Sequence, residues 1–123
     1  MKNRFFISII GLLILGALTT VVIRRNSTGV IPTKYDEFAK CIASKNLTMY
    51  GAVWCSHCQA EKARFGDSFK YVPYIECTED PNLCIAKGIE SYPTWIDRGE
   101  VKYTGEQGLQ KLSEISGCGL PSD

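Results

Sequence analysis

The sequence lacks any cluster of lysine and arginine. Its 123 residues carry 14 Lys and Arg against 13 Asp and Glu. Four of the basic residues flank an apolar run near the start, so ten basic residues face 13 acidic ones in the remainder, a charge of about −3. Nucleic-acid binding depends on clustered cations that displace counterions from phosphates. The sequence therefore predicts no nucleic-acid partner.

Histidine is scarce, which limits the metal sites that the chain can build. A structural zinc site needs four ligands, and strong sites come as two close cysteine pairs. Cys55 and Cys58 form one close pair around the single histidine, His57, but the next two cysteines, Cys77 and Cys84, are separated by six residues. This spacing fits zinc poorly, so neither a metal nor another cofactor is predicted. A metal-handling or docking module stays open as the non-enzymatic alternative.

Charge is also absent from residues 5–23, "FFISIIGLLILGALTTVVI", a run of 19 residues. At about 1.5 Å per residue, such a helix matches the hydrocarbon thickness of a bilayer. A domain this small could hardly enclose an apolar helix on every side. The run predicts a transmembrane signal-anchor, with residues 1–4 in the cytoplasm and residues 24–34 as a linker. A cleaved signal peptide is the alternative.

Helical and extended patterns alternate over residues 35–123, the predicted globular domain. "TKYDEFAKCIASKN" indicates an amphipathic helix with Thr33 and Asp36 as a capping box, and "LTMYGAVW" indicates a buried central strand. The helix that follows runs from Cys55 to Gly66. Further along lie a strand in "YVPYIEC", a short helix in "EDPNLCIAKG", a hairpin in "YPTWIDRGEVKYTG" and a last helix in "EQGLQKLSEISG". The order αβαβαββα predicts a small mixed sheet covered by helices.

The stretch "GAVWCSHCQAEKARF" places two cysteines in the first turn of a predicted helix. A disulfide between them closes a tiny loop and would be a poor structural staple. At a helix start, free backbone N–H groups and the helix dipole favour a thiolate. The pattern predicts a redox couple in which an exposed Cys55 exchanges with substrate and Cys58 resolves the mixed disulfide.

The two residues between these cysteines, Ser56 and His57, are expected to tune the couple. An imidazolium beside the Cys55 sulfur would lower its pKa and stabilise the reduced form, which makes the disulfide a stronger oxidant. The alternative is a solvent-exposed His57 without an electrostatic role. The position of the ring inside the pair favours tuning.

"WCSHC", followed 35 residues after Cys58 by Pro93 in "SYPT", resembles the thioredoxin superfamily. The resemblance implies an α/β fold of trimmed thioredoxin type, a small mixed sheet flanked by helices, behind the N-terminal transmembrane helix. It also implies that Pro93 is cis and lies against the active-site sulfurs. Tyr92 and Thr94 flank this proline, and Trp54 precedes the first cysteine of the site.

The stretches "MYGAVWCSHCQAEKARFG", "VPYIEC" and "GIESYPTW" resemble the thioredoxin-like domain fused to or paired with bacterial vitamin K epoxide reductase homologues. This resemblance implies a disulfide relay in which a quinone-linked membrane enzyme reoxidises the domain. The chain has one predicted span, so that enzyme would be a separate partner. One departure from cytosolic thioredoxins is Met49, which occupies the position of their buried acid on the central strand.

Four further cysteines suit an oxidising compartment, where they can form bridges. Three pairings are open to them, and we favour Cys77 with Cys84 and Cys41 with Cys118. The alternative is that they are buried free thiols acting as small apolar side chains. Their number places the predicted domain outside the cytoplasm.

Taken together, these patterns predict a membrane-anchored thiol–disulfide oxidoreductase. It would be a single-pass protein of the cytoplasmic membrane with its domain in the periplasm or cell exterior. Its substrates would be the cysteines of secreted proteins, to which it would donate disulfides. An anchored reductase, such as one that prepares apocytochrome cysteines for haem attachment, is the enzymatic alternative.

Overall fold

A computed structural model describes residues 33–122, all of which belong to one compact unit, Pro32–Asp123. The apolar run 5–23, the preceding residues 1–4 and most of the predicted linker lie outside the described residues. Within residues 33–122, no helix combines the length and the apolar character needed to cross a membrane.

The described residues alternate helices and strands in the order that the sequence predicts, with one additional 3-10 helix. Cys55 and Gly66 cap the helix that carries the cysteine pair, in agreement with the predicted bounds. The elements are α1 (Asp36–Ser44), β1 (Thr48–Gly51), α2 (Ser56–Phe65), the 3-10 helix η1 (Gly66–Tyr71), β2 (Tyr74–Glu76), α3 (Pro81–Ala86), β3 (Thr94–Ile96), β4 (Lys102–Thr104) and α4 (Gly108–Ser116).

The four strands form one mixed sheet in the order β2-β1-β3-β4. β1 is central: it pairs parallel to β2, with Met49 opposite Tyr74, and antiparallel to β3, with Met49 opposite Trp95. β3 and β4 form the predicted hairpin. Because β1 and β2 are parallel, their carboxyl ends lie at the same edge of the sheet. β1 ends at this edge and the chain continues from it to Cys55. β2 ends at the same edge with Glu76.

Aromatic side chains from helices and sheet meet in the core. The Phe65 ring lies 5.9 Å from Phe38 on α1 and 6.4 Å from Trp95 on β3, measured between centroids. Phe65, Phe38 and Trp95 are all buried. Burying such side chains supplies most of the driving force for folding. The result is a small mixed α/β domain that fits the thioredoxin-like fold.

The predicted capping box of Thr33 and Asp36 is wrong, because Tyr35 occupies the cap position of α1 and no side chain caps the helix. The helix begins at Asp36, and the Thr33 hydroxyl donates a 2.5 Å hydrogen bond to the Asp36 carboxylate. The Ser68 hydroxyl, from η1, donates to the same oxygen at 2.8 Å. The Asp36 side chain therefore links α1 to η1. Its carboxylate is buried, and a buried carboxylate needs hydrogen-bond donors.

The structure pairs the four outlying cysteines as the sequence analysis favoured. Cys41 on α1 bonds to Cys118, just beyond α4, and Cys77 after β2 bonds to Cys84 on α3. The first bridge spans 77 residues and the second spans 7. Cys55 and Cys58 are the free cysteines of residues 33–122.

Candidate active site

Cys55 lies in the turn between the central strand and α2. Its backbone is extended, and its sulfur accepts a hydrogen bond from the Cys58 backbone N–H at 3.2 Å. Its own N–H donates to the carbonyl of Ala52 at 3.0 Å, which closes the turn. A backbone N–H aimed at sulfur stabilises the thiolate more than the thiol. The first cysteine of the pair therefore caps α2 through its sulfur.

Side chains on both flanks hold the loop that precedes Cys55. The Glu76 carboxylate accepts from the Val53 N–H at 3.0 Å, and the Gln59 amide donates to the Val53 carbonyl at 2.8 Å. Glu76 comes from the end of β2, and Gln59 comes from α2. The two hydrogen bonds fix the loop from the sheet and from the helix, so the position of Cys55 is set before a substrate arrives.

Cys58 sits one turn into α2 and is fully buried, with 0% of its surface exposed. Burial, assisted by the hydrogen bond with Cys55, raises the pKa of the Cys58 thiol to about 12. At neutral pH the second cysteine is therefore a thiol. The two cysteines differ as a redox couple requires: the capping sulfur is poised for exchange, and the buried sulfur stays protonated until the second step.

The structure corrects the expectation that Cys55 is exposed, because only 6% of its surface reaches solvent. It lies instead in an open groove of about 520 Å³. The indole of Trp54, which is 69% exposed, forms one side and contacts the edge of Tyr92 with centroids 5.8 Å apart. The remaining lining residues are Ser56, His57, Glu90 and Ser91. A substrate must therefore enter the groove to reach the sulfur.

The proline of the predicted site, Pro93, directly follows the groove residues Ser91 and Tyr92 in the chain. The Tyr92–Pro93 peptide bond is cis, as the resemblance implied. Pro93 is buried, and its carbonyl accepts from the Gly105 N–H at 2.8 Å. The Thr94 hydroxyl donates to the Ser91 carbonyl at 2.8 Å. Tyr92 and Ser91 therefore reach the groove from a segment that β3 and the hairpin hold in place.

His57 has an acidic partner that the sequence did not reveal. Its Nδ1 lies 2.6 Å from a carboxylate oxygen of Glu106, and Arg64 binds the other oxygen at 3.0 Å. These hydrogen bonds, from His57 first and Arg64 second, hold the pKa of Glu106 below its usual value. The imidazole is largely exposed and lines the groove beside Cys55. Glu106 follows the hairpin, 49 residues after His57, so no local pattern pointed to it.

A second acid missed at the sequence level is Glu61, which is fully buried on α2. Its carboxylate accepts from the backbone N–H groups of Gln107 and Gly108 at 3.1 and 3.0 Å. Glu61 therefore caps the start of α4. Its position three residues after Cys58 was the available signal, since residues three apart share a helix face.

Met49, which was predicted on the central strand at the position of the buried acid of cytosolic thioredoxins, lies on β1 and is buried in the core.

Residues 33–122 contain no group of three or more His, Cys, Asp or Glu side chains arranged to hold a metal ion. The four outlying cysteines are bonded in pairs.

Known proteins similar to this chain include redox proteins from several eukaryotes, although no family model matches. The thiol-disulfide oxidoreductase LTO1 of Arabidopsis thaliana is 38% identical over 91 residues, which cover 67% of this chain and 24% of the plant protein. A protein disulfide-isomerase of Aspergillus niger is 29% identical over 112 residues, 83% of this chain and 22% of the fungal protein. A thioredoxin domain-containing protein 5 homolog of Drosophila melanogaster is 31% identical over 96 residues, 68% of this chain and 23% of the fly protein.

The chain thus spans about a quarter of the length of these relatives. The mixed sheet, the cysteine pair at a helix start and these similarities together place residues 33–122 in the thioredoxin-like superfamily. Within that superfamily, the site is that of a thiol–disulfide oxidoreductase.

Proposed function

We propose that this protein is a membrane-anchored, extracytoplasmic disulfide donor. The observation that carries the proposal is the asymmetry of the free pair, with Cys55 capping α2 at the base of a groove and Cys58 fully buried behind it. A sulfur that caps a helix beside a groove and a fully buried, protonated partner suit successive exchange steps.

Donation proceeds through two exchanges that conserve electrons. A substrate thiolate attacks the Cys55 sulfur of the Cys55–Cys58 disulfide, the bond between the cysteines breaks, and Cys58 leaves and takes up a proton. A second substrate thiolate then attacks the substrate sulfur of the mixed disulfide and displaces Cys55 as a thiolate. The substrate loses two electrons and gains a disulfide, while the domain becomes a dithiol.

His57 biases this couple toward oxidation in our proposal. Its ring lines the same groove as Cys55, and its Nδ1 lies 2.6 Å from Glu106, which Arg64 also binds. A positive ring near the sulfur stabilises the thiolate, and a more stable reduced form makes the disulfide a better oxidant. Glu106 acts on the couple through His57 and is therefore a positioning residue.

The proposal also includes a membrane anchor, an oxidising compartment and a separate electron partner. The uncharged run 5–23 supports anchoring, and the two structural disulfides support an oxidising compartment. The resemblance to domains that work with vitamin K epoxide reductase homologues supports reoxidation by a separate quinone-linked membrane enzyme. The substrates would be secreted proteins with pairs of cysteines, which the groove admits near Trp54 and Tyr92.

Disulfide transfer to a reduced peptide tests the proposed activity. The full chain, oxidised and held in mild detergent, is mixed with an equimolar synthetic peptide that carries two cysteines, and the products are counted by mass spectrometry. We expect the peptide to gain one disulfide as Cys55 and Cys58 become thiols. The Cys55→Ser variant should transfer nothing. A peptide that stays reduced beside the oxidised wild-type chain would instead favour the reductase alternative.

A further inference from the structure

The groove beside Cys55 contains a carboxylate, that of Glu90, whose role the exchange chemistry does not explain. Glu90 lines the same groove as Cys55, and its side chain is exposed. Within residues 33–122 this carboxylate forms neither an ion pair nor a hydrogen bond. A charge that is left unpaired on the wall of a binding groove attracts a ligand group of the opposite sign.

Two lysines lie near the start of the segment that carries Glu90, and both bind other groups. The Lys87 ammonium lies 2.9 Å from the carboxylate of Glu100. The Lys102 ammonium donates a 2.9 Å hydrogen bond to the carbonyl of Gly88. Neither cation therefore neutralises Glu90.

His57, the other residue of the groove wall that can carry a charge beside Cys55, already has an ionic partner. Its ring lies 2.6 Å from Glu106, which Arg64 also binds. These three side chains together carry no excess of negative charge. Among residues 33–122, the groove wall thus has one negative charge without a counter-ion, that of Glu90.

Hydrogen bonds hold the backbone on both sides of Glu90. The Ile89 N–H donates to the Cys84 carbonyl at 2.9 Å, and the Ser91 carbonyl accepts from the Thr94 hydroxyl at 2.8 Å. Ile89 also packs against a buried cluster. The segment that carries the carboxylate is therefore in place before a substrate binds, which lowers the entropy cost of forming an ion pair there.

An exposed aromatic side chain gives the groove a second feature that suits a basic ligand group. Trp54 is 69% exposed, lines the groove and contacts Tyr92, two residues after Glu90. Arginine and lysine side chains match both features, since their charge pairs with a carboxylate and their cation or apolar stem packs on an indole face. A neutral or acidic side chain can use the indole at most.

We propose that Glu90 selects substrates that carry an arginine or lysine next to the reactive cysteine. When the substrate sulfur reaches Cys55, the neighbouring basic side chain pairs with Glu90 beside the Trp54 indole. An acidic side chain at the same place is repelled. Glu90 does not act on the sulfurs themselves, so it is a specificity-determining residue. The proposal names the substrate class of the proposed exchange function and rests on that function.

Exchange with peptide disulfides tests this selection. The reduced full chain in mild detergent is mixed with an excess of the symmetrical disulfide of a short peptide, whose cysteine is flanked on both sides by arginine, glutamine or glutamate. Cys55 attacks and releases one peptide thiolate, and Cys58 then bonds to Cys55 and releases the second. The chain loses the two electrons that the peptides gain. Mass spectrometry of acid-quenched samples gives the second-order rate constant.

The variants are Glu90→Gln and Glu90→Lys, which remove and reverse the charge. The matched control is Glu114→Gln, which removes the same charge from an exposed carboxylate on α4 that does not line the groove. The intrinsic reactivity of each peptide is the same for every protein variant. The ratio of the rate constants for the arginine and glutamate peptides can therefore be compared between variants.

We expect this ratio to fall by about threefold in Glu90→Gln, an effect typical of an exposed ion pair, and by about tenfold in Glu90→Lys. Salt at about 1 M should reduce both differences, because the screening length falls to about 3 Å. Glu114→Gln should keep the wild-type ratio.

An unchanged ratio in both Glu90 variants would overturn the selection. An equal fall in Glu114→Gln would also overturn it, because the ratio would then report the net charge of the domain. So would rate constants that change by one factor for all three peptides, since such a change reports on the cysteine couple. Failure of the proposed donor role would look different: the reduced chain would still consume these disulfides, while the two-cysteine peptide of the transfer experiment would stay reduced.

Discussion

The Cys58→Ser variant will accumulate as a mixed disulfide between Cys55 and substrate. Cys55 remains able to attack, but the neighbour that releases the substrate is gone. A well-placed intramolecular group acts at an effective molarity of about 10⁵ M or more, which millimolar external thiols cannot match. We therefore expect release to slow by at least about 10³-fold. Non-reducing gels and mass spectrometry of the reaction with a cysteine peptide disulfide will show the complex.

Two controls test whether the complex is a disulfide formed through Cys55. The Cys55→Ser variant should form no complex, because the buried Cys58 thiol cannot reach substrate in the groove. Dithiothreitol should reduce the mixed disulfide of the Cys58→Ser variant and release the substrate. An abundant complex through Cys58 in the Cys55→Ser variant would contradict the assigned order of the two cysteines.

Removal of the Cys41–Cys118 disulfide will lower the free energy of unfolding more than removal of the Cys77–Cys84 disulfide. This disulfide joins α1 to the segment after α4 across 77 residues of chain. The chain-entropy model gives about 4–5 kcal/mol for a loop of this length, against a typical domain stability of about 5–15 kcal/mol. We expect the Cys41→Ala, Cys118→Ala double variant to lose about 4 kcal/mol in urea unfolding followed by the fluorescence of the buried Trp95, with Cys55 and Cys58 kept in one redox state.

The second bridge supplies the matched control. Cys77 and Cys84 lie only 7 positions apart in the chain, and for this spacing the same model gives about 2 kcal/mol. The Cys77→Ala, Cys84→Ala variant should therefore lose about half as much stability. Equal losses in the two double variants would show that constraint of the unfolded chain is not what these bridges contribute.

Local sequence patterns predicted much of this fold because they act over a few residues. Gly66 ends α2, Asp80 caps α3 through the Leu83 N–H, and the alternation of elements gave their order. The cysteine pair could be placed at the start of α2 for the same reason. The predicted capping box at Thr33 and Asp36 failed because the Asp36 carboxylate is bound instead by the Thr33 hydroxyl and by Ser68 from η1.

The surroundings of the site depend on residues that are distant in the chain, and the sequence did not reveal them. Glu106 reaches His57 from the segment after the hairpin, and Glu76 reaches Val53 beside Cys55 because the sheet order brings β2 beside β1. The burial of Cys55 was missed for the same reason, since it packs in a core cluster against which Tyr92, 37 positions later in the chain, also lies. Partners of this kind follow from tertiary packing rather than from spacing.

The reduction potential of the Cys55–Cys58 couple tests the proposed donor role most directly. The full chain in detergent is equilibrated with glutathione buffers, with the two structural disulfides verified by mass spectrometry and His57→Gln as the matched variant. The account predicts roughly −120 to −180 mV, with a more negative value for His57→Gln. A wild-type value near −270 mV, typical of a reducing thioredoxin, would contradict it.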